Sequence, residues 1–202
     1  MTSQTQYWNR LIQPGIVALV GAGGKTTVLS KLVEYGRLQG RPIVVTTTTQ
    51  LYESQVAQYE PIYTKDINEV DEYCTKRIQQ GYCGAWFSGI TRTKVDSVDC
   101  ESIDNLSTLH PNWQIVVEAD GAKEKWLKAP KHTEPVIPSQ TKTTIGVVNL
   151  QMLGASLDED HVHNLELVQS IVNREEGAIV TPSMLAQIVL HKQGLFQYSK
   201  GK

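Results

Sequence analysis

The sequence has little net charge, few cysteines and no long apolar run. The net charge of its 202 residues is −2, and 20% of them are charged, so it lacks the basic surplus typical of general nucleic-acid binders. The longest strongly apolar stretch covers residues 16–20, far short of the ~20 residues that cross a membrane as a helix. The first residues have neither the cationic end nor the long apolar core of a signal peptide. We therefore expect a cytoplasmic protein that binds neither nucleic acid nor membranes.

The cysteines exclude two further classes. Cys74, Cys83 and Cys100 are odd in number and have no C-x-x-C spacing, which argues against a disulfide framework and against a zinc clip. We interpret Cys83 and Cys100 as buried small side chains rather than nucleophiles. A hydrophobic content of 40% is enough for a real core. The length fits a single domain covering residues 1–202.

Short apolar runs alternate with stretches of helical periodicity. The predicted strands cover residues 16–20, 43–45, 84–90, 113–119 and 144–149. The predicted helices cover residues 25–39, 67–78, 102–109, 164–174 and 183–192. Solidly apolar strands that alternate with helices are typical of parallel sheets covered on both faces. We therefore predict an α/β fold, a three-layer sandwich with a mostly parallel sheet and helices on both faces.

A glycine-rich loop joins the first predicted strand to the first predicted helix. Glycines permit tight turns in which successive N–H groups point at an anion, and the helix N-terminus adds unpaired donors and partial positive charge. In such a loop the lysine reaches the β- and γ-phosphates, and the following hydroxyl ligates Mg²⁺; here these are Lys25 and Thr26. The residues assigned to nucleotide binding in this loop are Gly21, Ala22, Gly23, Gly24, Lys25, Thr26 and Thr27.

The loop departs from the standard phosphate-binding pattern. G-x-x-x-x-G-K-[ST] requires glycine at position 19, where this chain has Leu19, and the loop has the shorter form G-x-x-G-K-T-T. The alternative is a plain glycine turn between a strand and a helix. We predict a P-loop NTPase-like fold and nucleotide binding, because four specific residue types at this spacing between a strand and a helix are rare by chance.

Two carboxylates lie at the carboxyl end of the predicted strand 113–119: Glu118 within its last two residues and Asp120 directly after it. They alternate with Ala119, so in extended backbone both point to one side. One is expected to hold Mg²⁺ or its waters, and the other to orient the attacking water or a substrate hydroxyl. The alternative is that one of them is an ordinary capping or turn residue.

Four threonines, residues 46–49, follow the second predicted strand, which should lie beside the P-loop strand or one strand away. Side chains at the carboxyl ends of strands face the crevice in which α/β proteins bind ligands. We expect Thr47 and Thr48 to contact the γ-phosphate or a metal-bound water, as a switch segment does. The alternative is a plain β-prone edge.

Residues 121–142 form a long polar segment with three prolines, and segments of this kind are often lids or binding loops. Four lysines lie within residues 123–132, and Lys123 is assigned to an anionic group of the nucleotide or of a second substrate. The alternative is that these lysines form an ordinary solvated surface loop, which Trp126 anchors to the protein. His161 and His163 form an H-x-H pair that lacks a defined third ligand, so we interpret them as structural.

Four motifs together resemble one family. They are V-G-A-G-G-K-T-T, V-T-T-T-T, V-E-A-D-G-A-K and L-K-A-P-K-H-T-E-P-V-I-P, and they look like those of the YqeC family of accessory proteins for selenium-dependent molybdenum hydroxylases. The resemblance covers residues 16–196. It implies a cytosolic P-loop protein that serves the maturation of such a hydroxylase and meets it, or a protein that handles selenium or the molybdenum cofactor, as a partner.

The loop alone also resembles those of two other groups. Mur-type ligases share its spacing, and nucleotide-driven metallocentre assembly proteins are similar to it, but their additional signature lysine falls at Val20. The chain also has no N-K-x-D motif for reading guanine. This absence means that GTP is not indicated. The nucleotide is predicted as ATP, or GTP, and the base preference and the oligomeric state are left open.

These observations lead to one function and its rivals. We expect an Mg²⁺-dependent nucleoside triphosphatase or phosphotransferase with Lys25, Glu118 and Asp120 as its catalytic residues, and with Thr26, Asp120 and Glu118 as its metal ligands. The first rival is a nucleotide-gated switch, or a chaperone for cofactor insertion. The second is a Mur-like ATP-dependent ligase, for which 202 residues leave little room.

Overall fold

The computed structural model describes residues 7–8 and 10–201, in which strands and helices alternate. The strands are β1 (Gly15–Gly21), β2 (Ile43–Thr47), β3 (Leu51–Tyr52), β4 (Ile62–Tyr63), β5 (Gly84–Phe87), β6 (Gly89–Thr91), β7 (Lys94–Asp96), β8 (Gln114–Glu118), β9 (Leu127–Lys128), β10 (Thr141–Val147) and β11 (Val162–His163). The helices are α1 (Lys25–Leu38), α2 (Glu53–Val56), α3 (Ile67–Gln79), α4 (Cys100–Leu109), α5 (Leu165–Val172) and α6 (Pro182–Leu190).

Six strands form the central sheet in the order β10–β1–β8–β2–β5–β4, and every neighbouring pair is parallel. This confirms the predicted α/β class with its mostly parallel sheet. Strand β8 lies between β1 and β2, and Glu118 at its end is in register with Leu19 on one side and Thr47 on the other. The carboxyl ends of these three strands therefore share one edge of the sheet.

Helices cover both faces of this sheet, as predicted. Side chains alternate along β1, so Val17 and Leu19 pack in one apolar cluster with Leu29 and Leu32 of helix α1. Ile16, Ala18 and Val20 pack in a second cluster, together with side chains of α3 and α4 such as Val70, Ile103 and Leu106. The protein is thus a three-layer sandwich in which both faces of the sheet are buried.

The predicted strand 84–90 is wrong in its second half. Strand β5 ends at Phe87, and β6 then pairs antiparallel with β7 in a separate three-stranded sheet, β3–β7–β6. Ser88 N donates to Asp96 O (3.3 Å), and a left-handed residue, Arg92, closes the β6–β7 hairpin with φ 57°. The chain leaves the central sheet here because this hairpin supplies the pairing that a continued β5 would have needed. The other predicted strands and helices all occur, with ends that agree to within three residues.

A third apolar cluster lies under the C-terminal helices. It joins Leu127 of β9 and Val162 of β11 to Leu165, Val168 and Leu185 of helices α5 and α6. Strand β9 pairs parallel with β11, so the segment 121–142 is attached to the body of the protein through β9. Within residues 7–8 and 10–201, none of the helices combines the length and apolarity needed to cross a membrane.

Candidate functional site

The glycine loop between β1 and α1 has positions at which only glycine fits. Gly21, Gly23 and Gly24 have φ values of 99°, 68° and 143°, in the region that favours glycine. A Cβ atom on Gly21 would lie 2.2 Å from Val147 O, and one on Gly23 would lie 2.5 Å from Asn149 Cβ. The loop is therefore packed closely against the end of β10.

The backbone amides of this loop divide into two groups. Gly21 N donates to Asp120 Oδ2 and Ala22 N donates to Val147 O, both at 3.2 Å, so these two amides fasten the loop to its neighbours. Helix α1 begins after Gly24, which provides no side-chain cap, so N–H groups of its first turn remain available to an anion. Gly23, Gly24, Lys25 and Thr26 line a cleft of about 640 Å³.

Lys25 and Glu118 form a buried ion pair on this cleft. Lys25 Nζ donates to Gly21 O (2.8 Å) and lies 3.5 Å from Glu118 Oε1, with 5% and 7% of the two side chains exposed. Among the described residues, Glu118 Oε2 is buried and has no hydrogen-bond partner. Burial raises the pKa of the Glu118 carboxyl, and the Lys25 ammonium and the Thr26 hydroxyl oppose this shift. The pair thus presents an ammonium group and an uncommitted carboxylate oxygen.

Asp120 has a different environment from Glu118, although the sequence predicts that both point to one side. Its Oδ1 is paired with Lys128 Nζ, which also donates to Gly121 O (2.6 Å) and to Glu134 Oε2 (2.9 Å). Burial raises the pKa of the Asp120 carboxyl, against the opposing pull of Lys128. Glu118 lines the cleft, whereas Asp120 lies behind the loop and holds Gly21 N.

The four threonines 46–49 lie at the carboxyl end of β2, which is separated from β1 by strand β8. Thr47 Oγ1 donates to Glu118 O (2.7 Å), and Thr48 Oγ1 donates to Val136 O (2.6 Å). These two hydroxyls therefore connect β2 to β8 and to the segment 121–142. The next residue, Thr49, lines the cleft.

The segment 121–142 forms one side of the same cleft. Lys123, which the sequence analysis assigned to an anionic ligand, lines it, as do Lys125, Trp126 and Lys131. Lys128 belongs to the same run of lysines but is buried, with 1% of its side chain exposed. The lysine run is therefore not a uniform solvated face.

Several lining residues come from parts of the chain that carried no functional signal. They are Gln50, Tyr52, Lys94 and Asn149. His163 also lines the cleft, although the sequence analysis interpreted it as structural. Strands β3, β7 and β11 have two or three residues each, too few for a hydrophobic period to be recognised. Asn149 is the exception, because a polar residue just after a strand of a parallel sheet lies at the ligand-binding edge.

The two histidines have separate surroundings. His161 Nδ1 lies 2.7 Å from Asp158 Oδ1, and its ring packs against Trp126. His163 lines the cleft, and burial, together with the positive charges of Lys128 and Lys123, lowers its pKa to about 4. Within the part of the chain that the structure describes, no three His, Cys, Asp or Glu side chains are grouped so as to hold a metal ion.

Comparison with known proteins agrees with the family resemblance. The sequence profile described as YqeC protein matches residues 17–166, which include the glycine loop, the end of β8 and the segment 121–142. A protein of Escherichia coli (strain K12), named uncharacterized protein YqeC, is 30% identical over 186 residues, which are 92% of this chain and 71% of that protein. No solved structure matches. The chain belongs to the YqeC family.

Proposed function

We propose that this protein binds a Mg²⁺–nucleoside triphosphate, ATP or GTP, at the loop 21–27 and hydrolyses or transfers its γ-phosphoryl group. One observation carries the proposal: the ion pair of Lys25 and Glu118 is buried at the glycine loop, on the wall of a cleft of about 640 Å³. A buried ammonium beside helix N–H donors attracts a polyphosphate, and a neighbouring carboxylate attracts its counter-cation.

The phosphate side of the proposed site depends on Lys25. Its Nζ is anchored by Gly21 O at 2.8 Å, so the ammonium group is held over the loop instead of extending into solvent. Since Gly21 N and Ala22 N are already engaged, the phosphates would be bound by amides from residue 23 onward. Of the residues 21–27 predicted to bind nucleotide, the backbone amides of the first two are therefore not available to the phosphates.

The oxygen atoms of Glu118 and Thr26, beside Lys25, are of the kind that bind a magnesium ion. Mg²⁺ prefers oxygen ligands and keeps several of its waters, and the buried Glu118 Oε2 lacks a partner among the described residues. Glu118 and the Thr26 hydroxyl would hold the ion directly or through its waters, and the ion would neutralise phosphate charge. Because Asp120 is paired with Lys128, we give it the role of positioning the loop through Gly21 N.

We also assign to Glu118 the role of general base, which orients the attacking water or substrate hydroxyl and accepts its proton. Burial raises its pKa, which makes the carboxylate a better proton acceptor for a water or a substrate hydroxyl than an exposed one. Phosphoryl transfer depends mainly on positioning and charge neutralisation. Lys25 and Glu118, fixed on adjacent elements, supply both.

The test is Lys25→Ala, with Lys31→Ala as its control. Lys31 lies on the same helix with 46% of its side chain exposed. Titration calorimetry with Mg–ATP and Mg–GTP should show at least a ten-fold weaker Kd for Lys25→Ala and an unchanged Kd for Lys31→Ala. Release of phosphate should be lost only in Lys25→Ala, with both variants still folded by circular dichroism. Binding and hydrolysis by Lys25→Ala at the wild-type level would contradict the proposal, as would a wild type that binds neither nucleotide.

A nucleotide-gated switch is the second candidate, and the threonines at the end of β2 favour it. Thr47 and Thr48 bind carbonyls of Glu118 and Val136, and the following residue, Thr49, lines the cleft. A shift of Glu118 would therefore displace the end of β2 through Thr47, and the segment 121–142 through the adjacent Thr48. Partner capture with a non-hydrolysable triphosphate and without it separates the candidates, since association that is independent of nucleotide counts against a switch.

The biological setting is proposed from the family resemblance. It implies that the protein assists the maturation of a selenium-dependent molybdenum hydroxylase. Deletion of the gene should lower the activity of that hydroxylase without lowering the amount of its polypeptide, and a copy carrying Lys25→Ala should fail to restore it. Full hydroxylase activity in the deletion strain would remove this part of the proposal.

A further inference from the structure

A second wall of the cleft, formed by Lys123, Trp126, Lys131 and His163, is not used by the triphosphate site proposed above. All four residues line the cleft. They come from the segment 121–142 and from β11, which are joined by the pairing of β9 with β11. We call these four residues the second wall.

Backbone strain accompanies the position of Lys123. Lys123 and Glu124 are consecutive non-glycine residues in the left-handed region, with φ values of 47° and 61°. Such conformations are uncommon outside glycine and cluster at ligand sites. Lys125 N donates to Ala122 O (2.9 Å), which holds this turn in place. The strained turn carries Lys123 at the cleft.

The second wall is electropositive at its centre. After burial, the charges of Lys128 and Lys123 are the main causes that lower the pKa of His163, with a smaller contribution from Lys131 and with Glu134 opposing them. The part of this shift that the lysine charges cause also favours an anion at the same place, whereas the part that burial causes does not. His163 is neutral at pH 7 with a pKa of about 4, so its ring N–H is a donor without a charge of its own.

Trp126 adds a flat apolar surface to this electropositive region. Its ring packs against His161 with centroids 4.8 Å apart, and Trp126 N donates to His161 O at 2.9 Å. His161 is itself held by Asp158. The indole is therefore fixed from behind, and 37% of the residue remains exposed on the cleft.

We propose that the second wall binds a second substrate, an organic anion that carries a phosphate or carboxylate group on a flat conjugated ring. Lys123 and Lys131 pair with the anionic group, His163 donates to it, and Trp126 stacks on the ring. The inference rests on the proposed function in one respect: this molecule binds beside the triphosphate, in the same cleft. Stacking on a fixed aromatic side chain and pairing with lysines are separate contributions, so they can be removed one at a time.

The experiment uses 1-naphthyl phosphate as the probe. It is titrated by calorimetry into wild-type protein saturated with Mg²⁺ and a non-hydrolysable triphosphate analogue. We expect one molecule bound per chain, a Kd at least five-fold weaker in Trp126→Ala and in Lys123→Ala, and an unchanged Kd in Lys76→Ala, an exposed lysine on α3. Inorganic phosphate, which lacks the ring, should bind equally weakly to wild type and to Trp126→Ala. The affinity for the triphosphate analogue should be the same in all these proteins.

Two results overturn the inference. One is competition between 1-naphthyl phosphate and the triphosphate analogue, which would make the second wall the site of the nucleotide base. The other is equal affinity for the probe in wild type, Trp126→Ala and Lys123→Ala. If wild type binds no nucleotide, the proposed function fails, and the same titration into nucleotide-free protein still decides the second wall by its dependence on Trp126 and Lys123.

Discussion

Lys128 and Asp120 form an ion pair with only 1% of each side chain exposed. The second carboxylate oxygen of Asp120 accepts a hydrogen bond from Gly21 N of the glycine loop, and Lys128 Nζ also binds Glu134 Oε2. This network joins the glycine loop, the end of β8 and the segment 121–142. A side chain that belongs to a run of lysines in the sequence is thus part of the support of the proposed phosphate site.

Removal of Lys128 should destabilise the protein strongly. Lys128→Met leaves the buried Asp120 and the partly buried Glu134 without their cation, and breaking a buried pair in this way costs about 3–5 kcal/mol. The free energy of unfolding from urea titration measures the loss. Lys31→Met removes an exposed pair with Glu34, at 46% and 53% exposure, and should change the free energy of unfolding far less, because solvent screens such a pair. Equal stability of the two variants would refute the structural role of Lys128.

Glu118→Gln should remove hydrolysis and leave the fold intact. A neutral amide keeps the shape of the carboxyl, whose charged form burial already disfavours. The variant lowers the free energy of unfolding, because the buried Lys25 ammonium loses its partner, but Lys25 remains to bind the triphosphate. Loss of a general base typically costs about 10²–10⁴-fold in rate. Phosphate release and titration calorimetry, run on the same sample, measure the two effects. Glu124→Gln is the control, since Glu124 is an exposed carboxylate of the same cleft and its loss should leave the rate within two-fold.

Gly23→Ala should abolish nucleotide binding. The added Cβ would lie 2.5 Å from Asn149 Cβ at a φ of 68°, so the loop must shift away from the end of β10. Gly81→Ala is the matched control, because Gly81 also has a left-handed φ, 81°, but its Cβ would meet nothing within 4 Å. Both variants carry the backbone penalty of about 1–2 kcal/mol. Only Gly23→Ala should lose the calorimetric signal of the triphosphate, and an unaltered Kd would show that the loop does not bind it.

His163 should make the protein less stable in acid. Burial, then Lys128 and Lys123, lowers its folded-state pKa from 6.5 to about 4, against Glu134 and with help from Lys131. Between these values the unfolded chain binds a proton that the folded protein does not, so the stabilisation is complete above pH 6.5 and is lost as the pH falls towards 4. His163→Asn should therefore lose less thermal stability than wild type between pH 7 and pH 5. Identical losses in both proteins would contradict the shift.

The sheet and its covering helices were predictable because their signals are local. An apolar run such as 16–20, or the helical period after Lys25, is present in the residues themselves, and parallel strands place their carboxyl ends together by geometry. The same geometry places Lys25, after β1, and Glu118, at the end of β8, at one edge of the sheet, and their Nζ and Oε1 atoms lie 3.5 Å apart. The turn at Ser88 was missed because the β6–β7 hairpin competes with the continuation of β5, and no local pattern reports such a competition.

The amino-acid sequence alone determined the α/β class, the glycine loop and the family, because each depends on residue type and spacing within a short stretch of chain. Only the tertiary structure decided that Glu118 lines the cleft while Asp120 turns to Lys128, and that Lys123 and Trp126 share a cleft with the glycine loop. The physical reason is burial. Whether a charged side chain is solvated or paired depends on groups that other segments of the chain bring to it. A buried charge is stable only when such partners pair with it and satisfy its hydrogen bonds.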